Sequence, residues 1–407
     1  MVTSSGYQRV NGLRLWVHRF RDETRPPTGL TIVLLHGFMD SGATWDMVVP
    51  VLAQAGHDVV APDLRGFGHS DFVGPGGYYH FPDYVADLAE LVDALAPRRL
   101  GIVGHSMGGT VAALYAGSHP DRVERLALLE GMGPVATGPS TGVDRMQAWL
   151  RTMREVSRTP KPLSSLQEAV ERLSLHHPRV PREVIETRAR LLTRADDTGR
   201  LVWAYDPLHR TTAPTPFNAE SFAEFLRRID CPTLVVSGGP SGWHPPDEPA
   251  RVACLAHAVR FDLPTAGHMM HWTEPQKLAD RLAAFFGEPV AAKTRPPVSV
   301  SPGSVDEPVS GPVVSDRPVV AAPGVPSAPS AVSSAPAAVR PPPARPSAPG
   351  AAHPTFGPIY AGAAADLGAP PAGAGGSGVT VTSAPPAGAV PVTPTRPSQG
   401  TGGGRGG

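Results

Sequence analysis

The chain has 407 residues, with 36 Lys and Arg against 36 Asp and Glu, 44 Gly and 49 Pro. A formal net charge of zero removes the bulk electrostatic case for nucleic acid or an acidic membrane surface as a partner. The two cysteines, Cys231 and Cys254, have neither metal-ligand nor redox spacing and read as reduced structural thiols.

Met1–Val10 lacks a basic region followed by an apolar stretch, and no apolar run is long enough to span a bilayer. The expectation is a cytoplasmic protein with no membrane partner. Residues 1 to about 288 carry apolar runs, aromatics and mixed charge. From Pro289 onward Pro, Ala, Gly, Ser and Val dominate, and Phe356 and Tyr360 are the only aromatics. Such a segment buries too little apolar surface to offset its ordering entropy, so residues 289–407 are expected to be disordered. Its run Arg340-Pro341-Pro342-Pro343-Ala344-Arg345-Pro346 could offer polyproline to a protein partner, although a plain solvated tail is the simpler reading.

In chain order, Tyr7–Val10 and Leu13–Phe20 flank Asn11-Gly12 and predict a hairpin. Leu30–Leu35 is a continuous apolar run, the mark of a strand covered on both faces. Trp45–Gln54 fits a helix, Asp58–Ala61 a strand, and Phe81–Leu95 a helix with apolar residues at helical spacing. Leu100–Val103 predicts a strand, Met107–His119 a helix and Arg125–Leu129 a strand. Alternation then stops. Pro134–Ile229 carries Leu-rich, charged segments of helical character. Strand and helix resume with Thr233–Ser237, Asp247–Leu255, Val259–Leu263 and Gln276–Phe286. This order implies an α/β fold: a mostly parallel twisted sheet with helices on both faces. The division expected is a core of residues 1–133 and 230–288, with 134–229 inserted as a helical cap over the carboxyl ends of the strands, where open α/β sheets bind ligands.

The segment with most chemical content is Gly104-His105-Ser106-Met107-Gly108, between a buried strand and a helix. A serine there sits on a tight, strained turn, with its hydroxyl lifted above the sheet near a helix N-terminus. A hydroxyl is a weak nucleophile and needs a base with an orienting acceptor. His268, in a loop directly after the last strand, is the candidate base. His271 is expected only to line the pocket, and His268 with His271 has no third ligand to make a metal site. No cofactor is called for. Oxyanion donors are expected from the N–H of Met107 and, through a twist at Gly37, from the N–H of Phe38. His36 reads as a structural hydrogen-bonder.

With His36-Gly37-Phe38, Asp63 to Ser70, Gly104 to Gly108 and Gly267-His268 in this order, residues 7 to 287 resemble the α/β-hydrolase superfamily. Trp203 to Pro207 and Pro214 to Phe217 are similar to its serine-hydrolase-like branch. The resemblance implies no catalytic role for Asp63 to Ser70. It also implies an acid after the strand Thr233–Ser237, in a Gly-x-x-Asp pattern. Here Ser241 stands where that Asp is expected. Glu130, at the end of the strand Arg125–Leu129, is the preferred replacement, as in superfamily members that carry the acid there. Asp247, or Glu248 beside it, is the alternative, with Asp247 preferred of the two. With Ser at 106, acyl transfer through an acyl-enzyme is implied rather than the carboxylate attack of dehalogenases. Phe38, Met132, Trp149, Trp203 and Trp272 are candidates to line a pocket for a small acyl substrate such as a carboxylic ester. The competing expectation, suggested by Ser241 and the long tail, is a non-catalytic scaffold that contacts partners.

Overall fold

The computed structural model describes residues 1–289; the tail expected to be disordered lies outside the described residues. The chain runs β1 (Val2–Val10), β2 (Leu13–Arg21), β3 (Leu30–Leu35), α1 (Val49–Gln54), β4 (Asp58–Pro62), α2 (Phe81–Leu95), β5 (Arg99–His105), α3 (Met107–Ser118) and β6 (Arg125–Leu129). An inserted stretch follows, with α4 (Gly142–Glu155), α5 (Leu166–His176), α6 (Arg182–Leu191), β7 (Thr193–Ala195), β8 (Leu201–Trp203) and α7 (Ala219–Arg228). β9 (Thr233–Ser237), α8 (Glu248–Val252), β10 (Ala258–Asp262), α9 (Met270–Thr273) and α10 (Pro275–Gly287) complete it.

Eight strands form one sheet in the order β1-β2-β4-β3-β5-β6-β9-β10. β1 and β2 pair antiparallel through Asn11 and Gly12, both at positive φ, as a two-residue hairpin requires. β2 meets β4 antiparallel, and every pairing from β4 to β10 is parallel. The chain leaves β3 for β4 on one side and returns to β5 on the other. The carboxyl ends of β3 and β5 therefore flank the switch point where a crevice opens.

Burial follows the two-residue period of the strands. Val33, Leu35, Ile102, Leu126, Leu128 and Val235 face α2, α3 and α7, whereas Ile32, Leu34, Val103, Ala127, Leu129 and Val236 face α1 and α10. Each such side chain contributes about 1.5–3 kcal/mol on burial. A one-residue slip would move all of them to the wrong face, so the pattern fixes the register. Among the described residues no helix is long and apolar enough to cross a membrane. Cys231 and Cys254 are both free thiols.

Three local departures from the sequence reading have clear causes. The helix expected over Trp45–Gln54 is broken into a 3-10 turn at Gly42–Trp45 and α1, because Pro50 lies in the first turn of α1 and cannot donate to a preceding turn. The inserted stretch is not wholly helical: β7 and β8 form a small antiparallel hairpin, with Asp196 accepting from the N–H groups of Thr198 and Arg200 at 2.9 Å each. The last inserted helix, α7, packs against α3, with Phe222 and Leu226 in the sheet's own core. Gly117 on α3 abuts the backbone of Phe225.

Candidate active site

Ser106 ends β5 and begins α3, with φ 53° and ψ −116°. That is a strained conformation for any residue with a Cβ. It is held from both sides. The Ser106 N–H donates to Leu129 O at 2.9 Å, and the Ser106 carbonyl accepts from Gly109 and Thr110. The flanking glycines are steric necessities. A Cβ on Gly104 would lie 2.5 Å from Gly108 O, and one on Gly108 would lie 2.5 Å from Leu35 O.

His268 reaches Ser106 from the loop after β10, entered through Gly267 at φ 69°. Its Nε2 lies 3.1 Å from Ser106 Oγ, and its Nδ1 lies 2.6 Å from Glu130 Oε2. The hydroxyl can thus donate to Nε2 while Nδ1–H donates to the carboxylate. Glu130 follows β6 at φ 46°, another left-handed residue that is not glycine. Its carboxylate also accepts from the N–H of Gly238 at 2.6 Å and of Trp243 at 2.5 Å. His244 Nε2 stands 3.7 Å away. Three donors, from Gly238, Trp243 and His268, thus meet this buried group, as burial of a charge demands.

The loop that encloses Glu130 is Gly238–Trp243, the loop in which an aspartate was expected. Asp247 does not approach His268. Both of its oxygens engage Arg251, at 2.9 and 2.8 Å. Arg251 in turn donates to the carbonyls of Met132 and Pro134. The alternative acid is thus taken up by an ion pair at the start of α8.

Met107 N–H is the first of α3 and has no acceptor within the helix. Gly37 lies against Ser106: a Cβ there would be 3.3 Å from the Ser106 Cβ. Phe38 follows, and Met39 at φ 56° turns the chain away. His36 is fully buried, with Nδ1 donating to Gly37 O at 2.7 Å and Nε2 accepting from Leu64 N–H at 2.9 Å. Burial pushes its pKa down, which suits an acceptor that must stay neutral. Asp63 accepts from Ser41, Gly42 and His69 and ties two loops together.

A second layer lies behind the imidazole. His105 donates from Nε2 to the backbone carbonyl of His268 at 2.9 Å, and its ring stands 4.7 Å from those of both His268 and His271. Burial, then the neighbouring imidazoles, push the His105 pKa well down. His271 was expected to line the pocket. It is instead fully buried against Trp45, with Nε2 3.1 Å from Asp40 Oδ2. Burial alone would raise the Asp40 pKa, but the hydrogen bond and field of His271, with His36 and Thr44, hold it well below the usual carboxylate range. Asp40, His105 and His271 have ligand atoms within 4.8 Å of one another and could in principle hold a metal ion. Most of those atoms already serve hydrogen bonds: Asp40 to Ser41, Thr44 and His271, and His105 to His268. No signal in the sequence marked this layer or the enclosing loop.

Beside Phe38 and Met107 lies a narrow cavity of about 40 Å³, walled also by Tyr79, Trp149, Met153 and His209 among others. Of the candidate lining residues, Phe38 and Trp149 are among its walls. Met132, Trp203 and Trp272 do not line it. Met132 is 1% exposed in the core beside the Arg251 bond. Trp203 is buried on β8. Trp272, on α9, packs on the rings of His271 and His177.

A family model described as the alpha/beta hydrolase fold matches residues 31–275. A serine hydrolase-like protein of Danio rerio is 39% identical over 112 residues, 28% of this chain; the chain thus spans only 34% of that relative's length. The 3-hydroxybutyrate-oligomer hydrolase of Cupriavidus necator is 29% identical over 283 residues, 67% of this chain and 93% of the relative. Among solved structures, a hypothetical protein of Pseudomonas aeruginosa PAO1 is 28% identical with a TM-score of 0.62, covering 70% of this chain and 99% of its own. The family match runs from β3 to the start of α10 and so contains Ser106, Glu130 and His268; by it, this chain belongs to the α/β-hydrolase family.

Proposed function

We propose that the protein is a serine hydrolase that cleaves small carboxylic esters through an acyl-enzyme. The observation that carries the reading is one hydrogen-bonded line, from Ser106 Oγ to His268 Nε2 at 3.1 Å and from His268 Nδ1 to Glu130 at 2.6 Å. In this reading Ser106 Oγ attacks the carbonyl carbon as His268 Nε2 takes its proton. The N–H groups of Met107 and Phe38 hold the oxyanion. Glu130 keeps the imidazole in the reactive tautomer and stabilises the cation it becomes. The tetrahedral intermediate collapses as Nε2–H protonates the departing oxygen. Water, deprotonated by the same imidazole, then releases the acid. The hydrolase names of the relatives agree with this chemistry.

The narrow cavity by Phe38 and Met107 would take the acyl group. At about 40 Å³ it has room for only a few water-sized groups, which favours short acyl chains. The inserted stretch of 134–229 would act as the cap, contributing Trp149, Met153 and His209 to this wall, while α7 packs with the core. The scaffold alternative drew support from the missing aspartate at 241. A carboxylate from Glu130 on the imidazole removes that ground.

The test is the Ser106→Ala protein. It should lose turnover of p-nitrophenyl acetate and labelling by a fluorophosphonate probe while keeping its melting temperature. Undiminished turnover would reject the nucleophile.

A further inference from the structure

An acid at Glu130 depends on the loop Gly238–Trp243, which supplies two of the three donors on its carboxylate. That loop is poorly suited to hold its own shape. Gly238, Gly239 and Gly242 make up half of it, and glycine has the most backbone freedom to lose. Its backbone closes a turn, with Gly242 N–H donating to Gly239 O at 2.8 Å.

A side-chain tether comes from His244, the residue after the loop. Its ring folds back so that Nε2 lies 3.0 Å from Gly239 O. Its Nδ1 lies 2.8 Å from Oε2 of Glu248, a buried residue in the first turn of α8. Both partners are acceptors, one a carbonyl and the other a carboxylate. A neutral imidazole has one N–H and can serve one of them; an imidazolium serves both. The groups facing the ring favour the charged form. Glu248 approaches from α8, and Glu130 Oε1, at the end of β6, stands 3.7 Å from Nε2. Burial alone would lower the His244 pKa, but the Gly239 carbonyl and the two carboxylates raise it above the ordinary imidazole value. On losing its proton, the ring must release either the loop or the helix.

We propose that His244 is a positioning residue for the hydrolytic reaction: as an imidazolium bridging Gly239 and Glu248, it holds the loop's N–H groups on Glu130 and thereby holds Glu130 on His268. The inference rests on Ser106, His268 and Glu130 acting as nucleophile, base and acid. It gives activity two limbs. His268 must be neutral to accept the Ser106 proton, which sets the acid limb. Loss of the His244 proton loosens the loop, which sets an alkaline limb. A charge effect alone has the opposite sign. A cation beside Glu130 weakens the field of that carboxylate at His268, so its loss would raise activity at high pH.

The measurement is kcat and KM for p-nitrophenyl acetate from about pH 5.5 to about pH 9.5, corrected for hydroxide, with a thermal melt of each variant. The wild type should give a bell-shaped kcat. His244→Gln is uncharged, and its NH2 cannot serve two acceptors on opposite sides of the ring. It should lower kcat about tenfold at neutral pH, leave KM unchanged and lose the alkaline limb. His244→Arg, with a permanent charge and donors for both partners, should keep kcat within about threefold and also lose that limb. In a Glu130→Gln background, His244→Gln should cost less than about twofold more, because both act through one carboxylate. A wild-type kcat that rises through the alkaline range overturns the positioning role. So does a folded His244→Gln protein with wild-type kcat and the same alkaline limb. Should His244→Gln fail to fold, an alkaline limb that survives in His244→Arg overturns it alone. In each case an inactive Ser106→Ala protein leaves the nucleophile intact. If Ser106→Ala turns over the ester normally, it is the underlying hydrolase reading that fails.

Discussion

Glu130→Gln keeps the volume of a side chain and removes its charge, which isolates what that charge does. In the resting site the carboxylate accepts from Gly238, Trp243 and His268, at 2.5 to 2.6 Å. In the proposed mechanism, attack by Ser106 leaves the imidazole a cation beside it. Two unit charges about 4 Å apart at an effective dielectric of about 20 attract by about 4 kcal/mol. Removing that attraction from the transition state alone should lower kcat by roughly a thousandfold. The Glu130 side chain is fully buried and that of His268 is 17% exposed, so water screens the pair only in part. An amide must also turn its NH2 toward one of three donors, which adds to the loss by misorienting the ring. Asp247→Asn should change kcat less than about threefold, since Asp247 faces Arg251. It should lower the melting temperature, because Arg251 is buried and loses its carboxylate. The assay is steady-state turnover of p-nitrophenyl acetate, with a thermal melt of each variant to establish folding. A folded Glu130→Gln protein within threefold of wild type, together with a thousandfold loss in Asp247→Asn, would refute the assignment of the acid.

Two further perturbations test the frame around the site. Gly108→Ala would place a methyl 2.5 Å from Leu35 O and 2.6 Å from His36 O, backbone atoms that cannot rotate away. It should destabilise the protein by about 3 kcal/mol and abolish fluorophosphonate labelling, whereas Gly287→Ala, with nothing near its Cβ, should leave the melting temperature unchanged. His209 is buried against Phe67 and Tyr79, and burial pushes its pKa down to about 3. Between about pH 6.5 and pH 3 the unfolded chain therefore binds a proton at this residue that the folded chain does not, and stability falls as the pH falls through that window. Urea unfolding at pH 7 and pH 5 should show that His209→Phe loses less stability on acidification than wild type, by about 2 kcal/mol. Equal losses would mean that His209 is not held neutral in the fold.

What could be read from the sequence was what is local. Leu30–Leu35, Phe81–Leu95, Arg125–Leu129 and Thr233–Ser237 have the bounds expected, because continuous apolar runs and helical spacing record burial on both faces or on one. Ser106 and His268 stood out for the same reason: each sits in a short segment whose strand–turn context is written in adjacent residues. The broken helix at Pro50 was equally legible, since a proline inside a helical window marks a helix start or a break. The β7–β8 hairpin was hidden because three-residue strands are too short to show a period. The layer of Asp40, His105 and His271 joins segments separated by 65 to 231 positions, and no spacing rule connects them. Met132, Trp203 and Trp272 show the limit of choosing pocket walls by size and hydrophobicity, since the same properties place a residue in the core.

Ser241 is the most instructive departure, because it explains residues that otherwise look arbitrary. Placing the carboxylate at the end of β6 requires a buried anion to be solvated by protein. The β9–α8 loop does this with the N–H groups of Gly238 and Trp243. That demands a close wrap: a Cβ at Gly238 or Gly242 would collide with the Glu130 carboxylate itself. It also demands that Glu130 leave the strand in a left-handed conformation, at φ 46°. Strain at Glu130, the two glycines and the absence of an acid at 241 are thus one structural decision seen from three places. A carboxylate moved from one strand end to its neighbour carries its whole enclosure with it, so restoring an acid at 241 by Ser241→Asp should not rescue Glu130→Gln unless the enclosing loop is rebuilt as well.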